Sequence, residues 1–164
     1  MNLNYSKLLI NALLLICLIS ANFSTAVSQT AGNKNAKPVE VQKISVDELK
    51  AKIAKKAPLT IIDVRSSKAY FTSENRIKGS VHYKSRKLVT FVKYPPLNNI
   101  PRDREIVTYC SCPDEKVGIE AARTFRDAGF KNVRVLKGGW NEWVKANGPV
   151  EPRPQLSSAA TSLR

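Results

Sequence analysis

Two cysteines, Cys110 and Cys112, lie one residue apart between the β-rich run EIVTY at 105–109 and a helical pattern that begins near Lys116. A thiol at a helix N-terminus faces free backbone N–H groups and the positive end of the helix dipole, which lower the thiol pKa. The same N–H groups can hold an anionic substrate. The spacing therefore predicts an activated cysteine in an anion-binding loop, at the sheet edge where open α/β proteins bind ligands.

Other interpretations of the pair are inert packing, oxidation and metal binding. Free cysteine is one of the most buried residue types and usually does no chemistry. In an oxidising compartment the two sulfurs could form a disulfide, although one that spans a single residue would be strained and easily reduced. A soft metal such as Cu(I) would need a third ligand, which the sequence does not place nearby. We therefore predict neither a metal nor another cofactor.

Short strand-like runs alternate with helical patterns along the middle of the chain. Ser45 and Glu48 form a capping-box pattern, in which each side chain satisfies a free backbone N–H group of the other residue. Helices are expected at about 45–56, 116–128 and 140–146, and strands at 59–64, 105–109 and 133–136. Strands separated by helices predict an α/β fold with a parallel sheet covered on both faces.

Composition limits the class of protein. The chain has 164 residues, 43% of them hydrophobic, with 27 Lys and Arg against 13 Asp and Glu and a net charge of +14. Three cysteines and one histidine exclude a Cys2His2 zinc centre or a disulfide-rich scaffold. The cations are scattered and no nucleic-acid motif is present, so we expect a solvated basic surface that attracts anionic donors or holds the protein at the cell envelope.

The termini are expected to lie outside the folded domain. Residues 1–28 have a basic start, the 12-residue apolar run Leu8–Ile19 and a small-residue cleavage zone, which is typical of a signal peptide. An uncleaved anchor is the alternative. We expect a linker at 29–38, a domain at 39–151 and a disordered tail at 152–164, in a monomeric protein of the periplasm or the extracellular space.

Five pieces of sequence in order resemble the rhodanese-like family of single-domain sulfurtransferases. They are IIDVR at 61–65, RIKGSV at 76–81, VTYC at 107–110, the AA and AGF of 121–130, and VLKGGW at 135–140. The resemblance implies a five-stranded parallel sheet flanked by helices on both faces. It also implies a cysteine that takes a sulfane sulfur from a donor such as thiosulfate, becomes a persulfide and passes the sulfur to a thiol or to cyanide.

The active loop departs from the family pattern. Counted from the preceding strand, the catalytic position is Cys110, which we favour; counted back from Ala121, it is Cys112. The resemblance implies that the loop residues Ser111, Asp114, Glu115 and Lys116 surround the bound anion. The loop lacks the arginine common in active members, Pro113 has no N–H to donate, and the two acids disfavour a thiolate. We therefore expect weak anion binding or an unusual donor.

A second cysteine suggests a way around this deficit, since Cys112 could attack a persulfide on Cys110, or the reverse, to release sulfide and leave a disulfide. Asp63 and Arg65 are expected to support the active loop rather than to react, and His82 to be structural. A cysteine phosphatase is disfavoured because no arginine follows either cysteine by six positions. The remaining alternative is a non-catalytic rhodanese-like module that binds a partner or senses redox state.

Overall fold

The computed structural model describes residues 40–155, so the predicted signal peptide, the whole predicted linker and the end of the predicted tail lie outside the described residues. Six short helical segments and seven strands follow one another along this part of the chain. The strands are β1 Gln42–Ile44, β2 Leu59–Asp63, β3 Asn75–Ile77, β4 Ser80–His82, β5 Glu105–Tyr109, β6 Val133–Leu136 and β7 Val150–Pro152. The α-helices are α1 Val46–Ala54, α2 Ser67–Thr72, α3 Ser85–Phe91, α4 Lys116–Asp127 and α5 Gly139–Lys145, with a 3-10 turn at Leu97–Asn99.

The main sheet has five parallel strands in the order β1-β6-β5-β2-β4, which confirms the predicted fold class. Strand β2 pairs with β5 on one side and with the edge strand β4 on the other, so Asp63 at the end of β2 lies opposite both Tyr109 and His82. Parallel strands all end at the same edge, so the segments after β2, β4 and β5 lie side by side there. This edge carries the cysteine loop.

Two apolar clusters fill the two faces of the sheet. On one face α4 contributes Ala121, Ala122 and Phe125, and Cys110 belongs to this cluster. On the other face Leu49 of α1 packs with Tyr109 and Trp143. Ala121 and Phe125 of α4 are buried, whereas Val117 and Ala128 are only partly buried at the two ends of the helix.

Only one of the two hydrogen bonds of the predicted capping box forms at the start of α1. The Ser45 Oγ accepts a hydrogen bond from the backbone N–H of Glu48 at 3.1 Å, as predicted. The Glu48 carboxylate instead pairs with Arg134 of β6, with an N–O distance of 2.7 Å. An ion pair with a neighbouring strand therefore replaces the second capping hydrogen bond, and ties α1 to the sheet.

The domain extends slightly beyond the predicted boundary at residue 151. Strand β7 pairs antiparallel with β3 through Pro152, and the Arg153 backbone N–H donates to the Glu74 carbonyl at 2.9 Å. These contacts place the first two residues of the predicted tail in the folded domain.

None of the helices within residues 40–155 has the length and apolar character of a membrane-spanning segment.

Candidate active site

The cysteine loop connects β5 to α4, as the sequence predicted. Cys110 follows the last residue of β5 and is 3% exposed, whereas Cys112 is half-buried. The two sulfurs are joined in a disulfide, with a Cα–Cα distance of 5.6 Å. The loop therefore brings both thiols into bonding distance, and the structure describes its oxidised state.

The backbone of Cys110 is held from the opposite side by the turn before α5. The Cys110 carbonyl accepts a hydrogen bond from the Trp140 N–H at 2.8 Å. Gly139 has a φ of +54°, and a Cβ at this position would overlap with the Cys110 carbonyl oxygen. A glycine is therefore required here because the two backbone segments approach closely.

The Cys110 sulfur lies beside the first turn of α4. A Cβ built at Gly118 would be 3.8 Å from both the Cys110 Sγ and the Cys110 backbone nitrogen. The helix is fixed to the strand end as well, since the Thr108 Oγ1 donates to the Gly118 carbonyl at 2.8 Å. With the disulfide reduced, a thiolate at this position would interact favourably with the positive end of the α4 dipole.

Glu115, predicted to line the substrate site, has its carboxylate directed elsewhere. Its backbone has a φ of 56°, and its side chain is 8% exposed. The Oε1 accepts a hydrogen bond from the Gly138 N–H at 2.6 Å, and the Oε2 pairs with Lys43. These contacts join the cysteine loop to β1 and to the turn before α5.

Burial alone would raise the pKa of the Glu115 carboxyl, but the Gly138 N–H and Lys43 lower it below its ordinary value of 4.5. Because the folded pKa is the lower one, the stabilisation is present above about pH 4.5 and is lost as the pH falls through the folded pKa. Glu115→Gln should reduce the free energy of unfolding near pH 7 by about 1 kcal/mol and flatten its decline toward about pH 3. Urea denaturation at several pH values measures both quantities.

The exposed Glu120→Gln on α4 is the matched control for the loss of one carboxylate. It should leave the acid decline of stability unchanged. If Glu115→Gln and Glu120→Gln show the same pH dependence as the unmodified protein, the buried carboxylate does not stabilise the loop.

The other predicted loop residues lie around the cysteines. Ser111 is half-buried, and its carbonyl accepts a hydrogen bond from the Asn141 side-chain amide at 3.4 Å. Asp114 is exposed, and its Oδ1 accepts from the Lys116 backbone N–H at 3.2 Å. Asp114 therefore occupies a helix N–H group that could otherwise hold an anion. The Lys116 side chain is exposed and supplies the single positive charge of the loop.

Asp63 and Arg65 form a fully buried ion pair beneath this edge. The Arg65 Nε lies 3.0 Å and its Nη2 lies 2.8 Å from the Asp63 Oδ2. The guanidinium packs over the Trp140 ring, with its Cζ 4.1 Å from the ring centroid. Trp140 thus contacts Arg65 through its ring and Cys110 through its backbone N–H. Trp140 therefore connects the buried ion pair to the cysteine loop, and the supporting role of Asp63 and Arg65 stays a prediction.

Tyr109, which the sequence analysis did not single out, completes the network. Its hydroxyl donates to the Asp63 Oδ2 at 2.7 Å and also contacts the Ser80 Oγ at 3.1 Å. Burial, followed by the Asp63 charge, raises the Tyr109 pKa, so the phenol stays protonated. Side chains alternate between the two faces along the strand EIVTY, so Tyr109 lies on the face opposite Thr108. This alternation could have predicted the face on which the Tyr109 side chain lies.

His82 lies at the edge of the same network. Its ring stacks on Tyr70 with the centroids 3.8 Å apart, and its Nδ1 is 3.8 Å from the Asp63 Oδ1. Burial raises the Asp63 pKa, but contacts with His82, Arg65 and Tyr109 lower it overall below its ordinary value. Asp63 is therefore an ionised carboxylate that contacts three neighbours.

The fold and the loop together define an α/β domain that carries a cysteine-containing loop at the carboxyl edge of its parallel sheet. Its thiol stands at the carboxyl end of a central parallel strand and beside the N-terminus of the following helix. The family model of the rhodanese-like domain matches residues 45–146. The chain belongs to the rhodanese-like domain family, as its sequence motifs indicated.

The chain is also similar to several known proteins. The chain is 27% identical over 141 residues to arsenate reductase 2.1 of Oryza sativa subsp. japonica, covering 81% of this chain and 86% of that protein. It matches the crystal structure of BH2092 from Bacillus halodurans at 28% identity and a TM-score of 0.57, over 68% of this chain and 77% of that one. The human single-domain sulfurtransferase TSTD1 is 21% identical, with a TM-score of 0.55, over 65% and 97% respectively, a likeness of fold.

Proposed function

We propose that this domain is a sulfurtransferase that moves a sulfane sulfur from a thiosulfate-like donor to a thiophilic acceptor, with Cys110 as the nucleophile. The observation that carries this proposal is the position of the Cys110 sulfur beside the first turn of α4, at the end of β5. Cys110 is the residue whose backbone the strand and the Trp140 N–H both fix. A fixed nucleophile next to a helix N-terminus is prepared for attack on an anionic donor.

The reaction begins from the reduced loop. The Cys110 thiolate attacks the outer sulfur of thiosulfate, the S–S bond of the donor breaks, and sulfite leaves with the bonding electron pair. Cys110 then carries a persulfide. Cyanide or an acceptor thiolate takes the outer sulfur, and the Cys110 thiolate is regenerated, so that no electrons are required from outside.

Cys112 provides a second route out of the persulfide. Its thiolate attacks the Cys110 Sγ, and the S–S bond of the persulfide breaks. Hydrosulfide leaves as the Cys110–Cys112 disulfide forms. A dithiol reductant then returns both cysteines to thiols and is itself oxidised to a disulfide. The disulfide in the structure supports this route because it is the expected product.

Lys116 and the free N–H groups of the loop would hold the anionic donor, with Ser111 and Asp114 at the sides. Pro113 has no N–H and Asp114 adds a negative charge, so the loop offers one cation for a dianionic donor. We expect weak binding of thiosulfate alone. Glu115 acts in this scheme as an anchor of the loop through Gly138 and Lys43.

The test is an assay of the reduced protein with thiosulfate. We expect a mass increase of one sulfur atom on the peptide that contains residues 110–112, and thiocyanate after cyanide is added. If neither product forms although both thiols are free, the domain does not transfer sulfur from thiosulfate, and a non-catalytic module that binds a partner or senses redox state becomes an alternative.

Arsenate reduction is a second candidate function. It is favoured by the disulfide between two adjacent loop thiols together with the relative named arsenate reductase. Arsenate would be reduced to arsenite and water while the two thiols are oxidised to the disulfide, which balances two electrons. Formation of arsenite by the dithiol form, at one equivalent of disulfide per arsenite, distinguishes this reaction from sulfur transfer.

We also propose that the domain is exported after removal of residues 1–28 and works in the periplasm or outside the cell. The apolar run at 8–19 and the small residues after it support this. Mass spectrometry of the mature protein should find an N-terminus near residue 27 or 29; an intact Met1 would contradict export by cleavage.

A further inference from the structure

A basic pocket lies beside the cysteine loop and has no part in the reaction described so far. Its volume is about 390 Å³, and it opens where the segments that follow β2 and β4 meet. Its lining includes four cations, Arg65, Lys84, Arg86 and Lys87, together with serine side chains such as Ser67 and Ser85. No acidic residue lines it, so its lining carries a net positive charge.

Three of the four cations that line the pocket have no acidic partner in the described part of the chain. Within residues 40–155, Lys84, Arg86 and Lys87 are exposed and take part in no ion pair. Three like charges within four consecutive residues repel one another. A bound anion would remove this repulsion and gain charge-assisted hydrogen bonds.

Arg65 lines the pocket, but its charge is already paired. Its side chain is fully buried, and the ion pair with Asp63 uses its Nε and Nη2. Its guanidinium packs on the Trp140 ring. The cations that could hold an anion in the pocket are therefore the three exposed ones, Lys84, Arg86 and Lys87.

The position of the pocket relative to the thiols limits what it can bind. Asp63 of β2 is in register with Tyr109 on one side and with His82 on the other. Neighbouring strands are about 4.8 Å apart, so the segment after β4 begins roughly 10 Å from the segment that starts at Cys110. An anion in the pocket is therefore beside the cysteine loop and separate from it.

We propose that this pocket is a second anion site that binds a tetrahedral oxyanion group of the phosphate or sulfate class. Arginine, lysine and serine side chains around one cavity match the several acceptor oxygens of such a group. The site supplies the positive charge that the cysteine loop lacks. It would hold the charged end of a molecule whose sulfur reaches Cys110.

The experiment is a titration of the reduced full-length protein with inorganic phosphate, followed by nuclear magnetic resonance of the backbone amides. We expect saturable shifts at residues 66–67 and 84–87. Binding should weaken at least about tenfold in the triple variant Lys84→Ala, Arg86→Ala, Lys87→Ala, because it removes three charge-assisted contacts to the anion.

The control is Lys55→Ala, Lys78→Ala, Lys131→Ala, which removes three exposed cations elsewhere and should change the affinity by no more than about twofold, because distant surface charges are screened. Sulfate should compete with phosphate, and acetate should compete poorly. Shifts confined to residues 111–116, equal losses in the two triple variants, or no saturable binding would each overturn the proposal. Phosphate binding is read without turnover, so this result is separate from the outcome for sulfur transfer.

Discussion

Cys110→Ser should lower the rate of sulfur transfer from thiosulfate to cyanide by at least about a thousandfold, because a serine hydroxyl is not ionised at neutral pH and cannot form a persulfide. The variant should fold normally, since the oxygen is smaller than the sulfur and the Trp140 hydrogen bond involves only the Cys110 backbone. The initial rate of thiocyanate formation measures the loss.

Cys112→Ser is the matched variant. It should form the Cys110 persulfide and produce thiocyanate within about threefold of the unmodified rate, because Cys112 acts only in the second route. It should release no sulfide in the absence of an external thiol. The reverse pattern, with Cys112→Ser inactive and Cys110→Ser active, would show that our assignment is wrong. The nucleophile would then be Cys112, the position obtained by counting back from Ala121.

Asp63→Asn should destabilise the domain by about 3–5 kcal/mol, because it leaves the buried Arg65 guanidinium without its counter-charge. The pair is fully buried, and Asp63 also accepts the Tyr109 hydroxyl, so that one substitution disturbs two contacts. The free energy of unfolding in urea gives the loss, measured near pH 7 where the Asp63 carboxyl is ionised.

The double variant Asp63→Asn, Arg65→Met separates a charge effect from a packing effect. Methionine removes the unpaired charge and fills part of the space, so the double variant should be more stable than Asp63→Asn alone. Equal or lower stability of the double variant would show that Arg65 stabilises the domain by packing on Trp140, and not through its pairing with Asp63.

The parts of the fold that the sequence predicted are those with the longest uninterrupted patterns. Strands β5 and β6 have the predicted bounds because each is a β-rich run between turn or helix residues. Strand β1 was not predicted, since three residues are too few to show an alternation. Its strand character comes from pairing with β6, a long-range contact that no local pattern records.

The same distinction holds for the candidate site. The position of Cys110 could be predicted because a strand end and a helix start define it locally. The orientation of the Glu115 side chain could not be predicted, because its partners Gly138 and Lys43 are far away in the sequence. The basic pocket has the same origin, since its cations come from two segments that only the strand order brings together.

Trp140 is an intrinsic fluorophore that contacts the cysteine loop. Its indole packs on the Arg65 guanidinium while its backbone amide donates to the Cys110 carbonyl, and the second tryptophan of the chain, Trp143, is fully buried in the apolar cluster against which Trp140 packs. A change at the sulfur therefore reaches a natural fluorophore through a single hydrogen bond. The emission of the unlabelled protein should report the loading of the loop in real time.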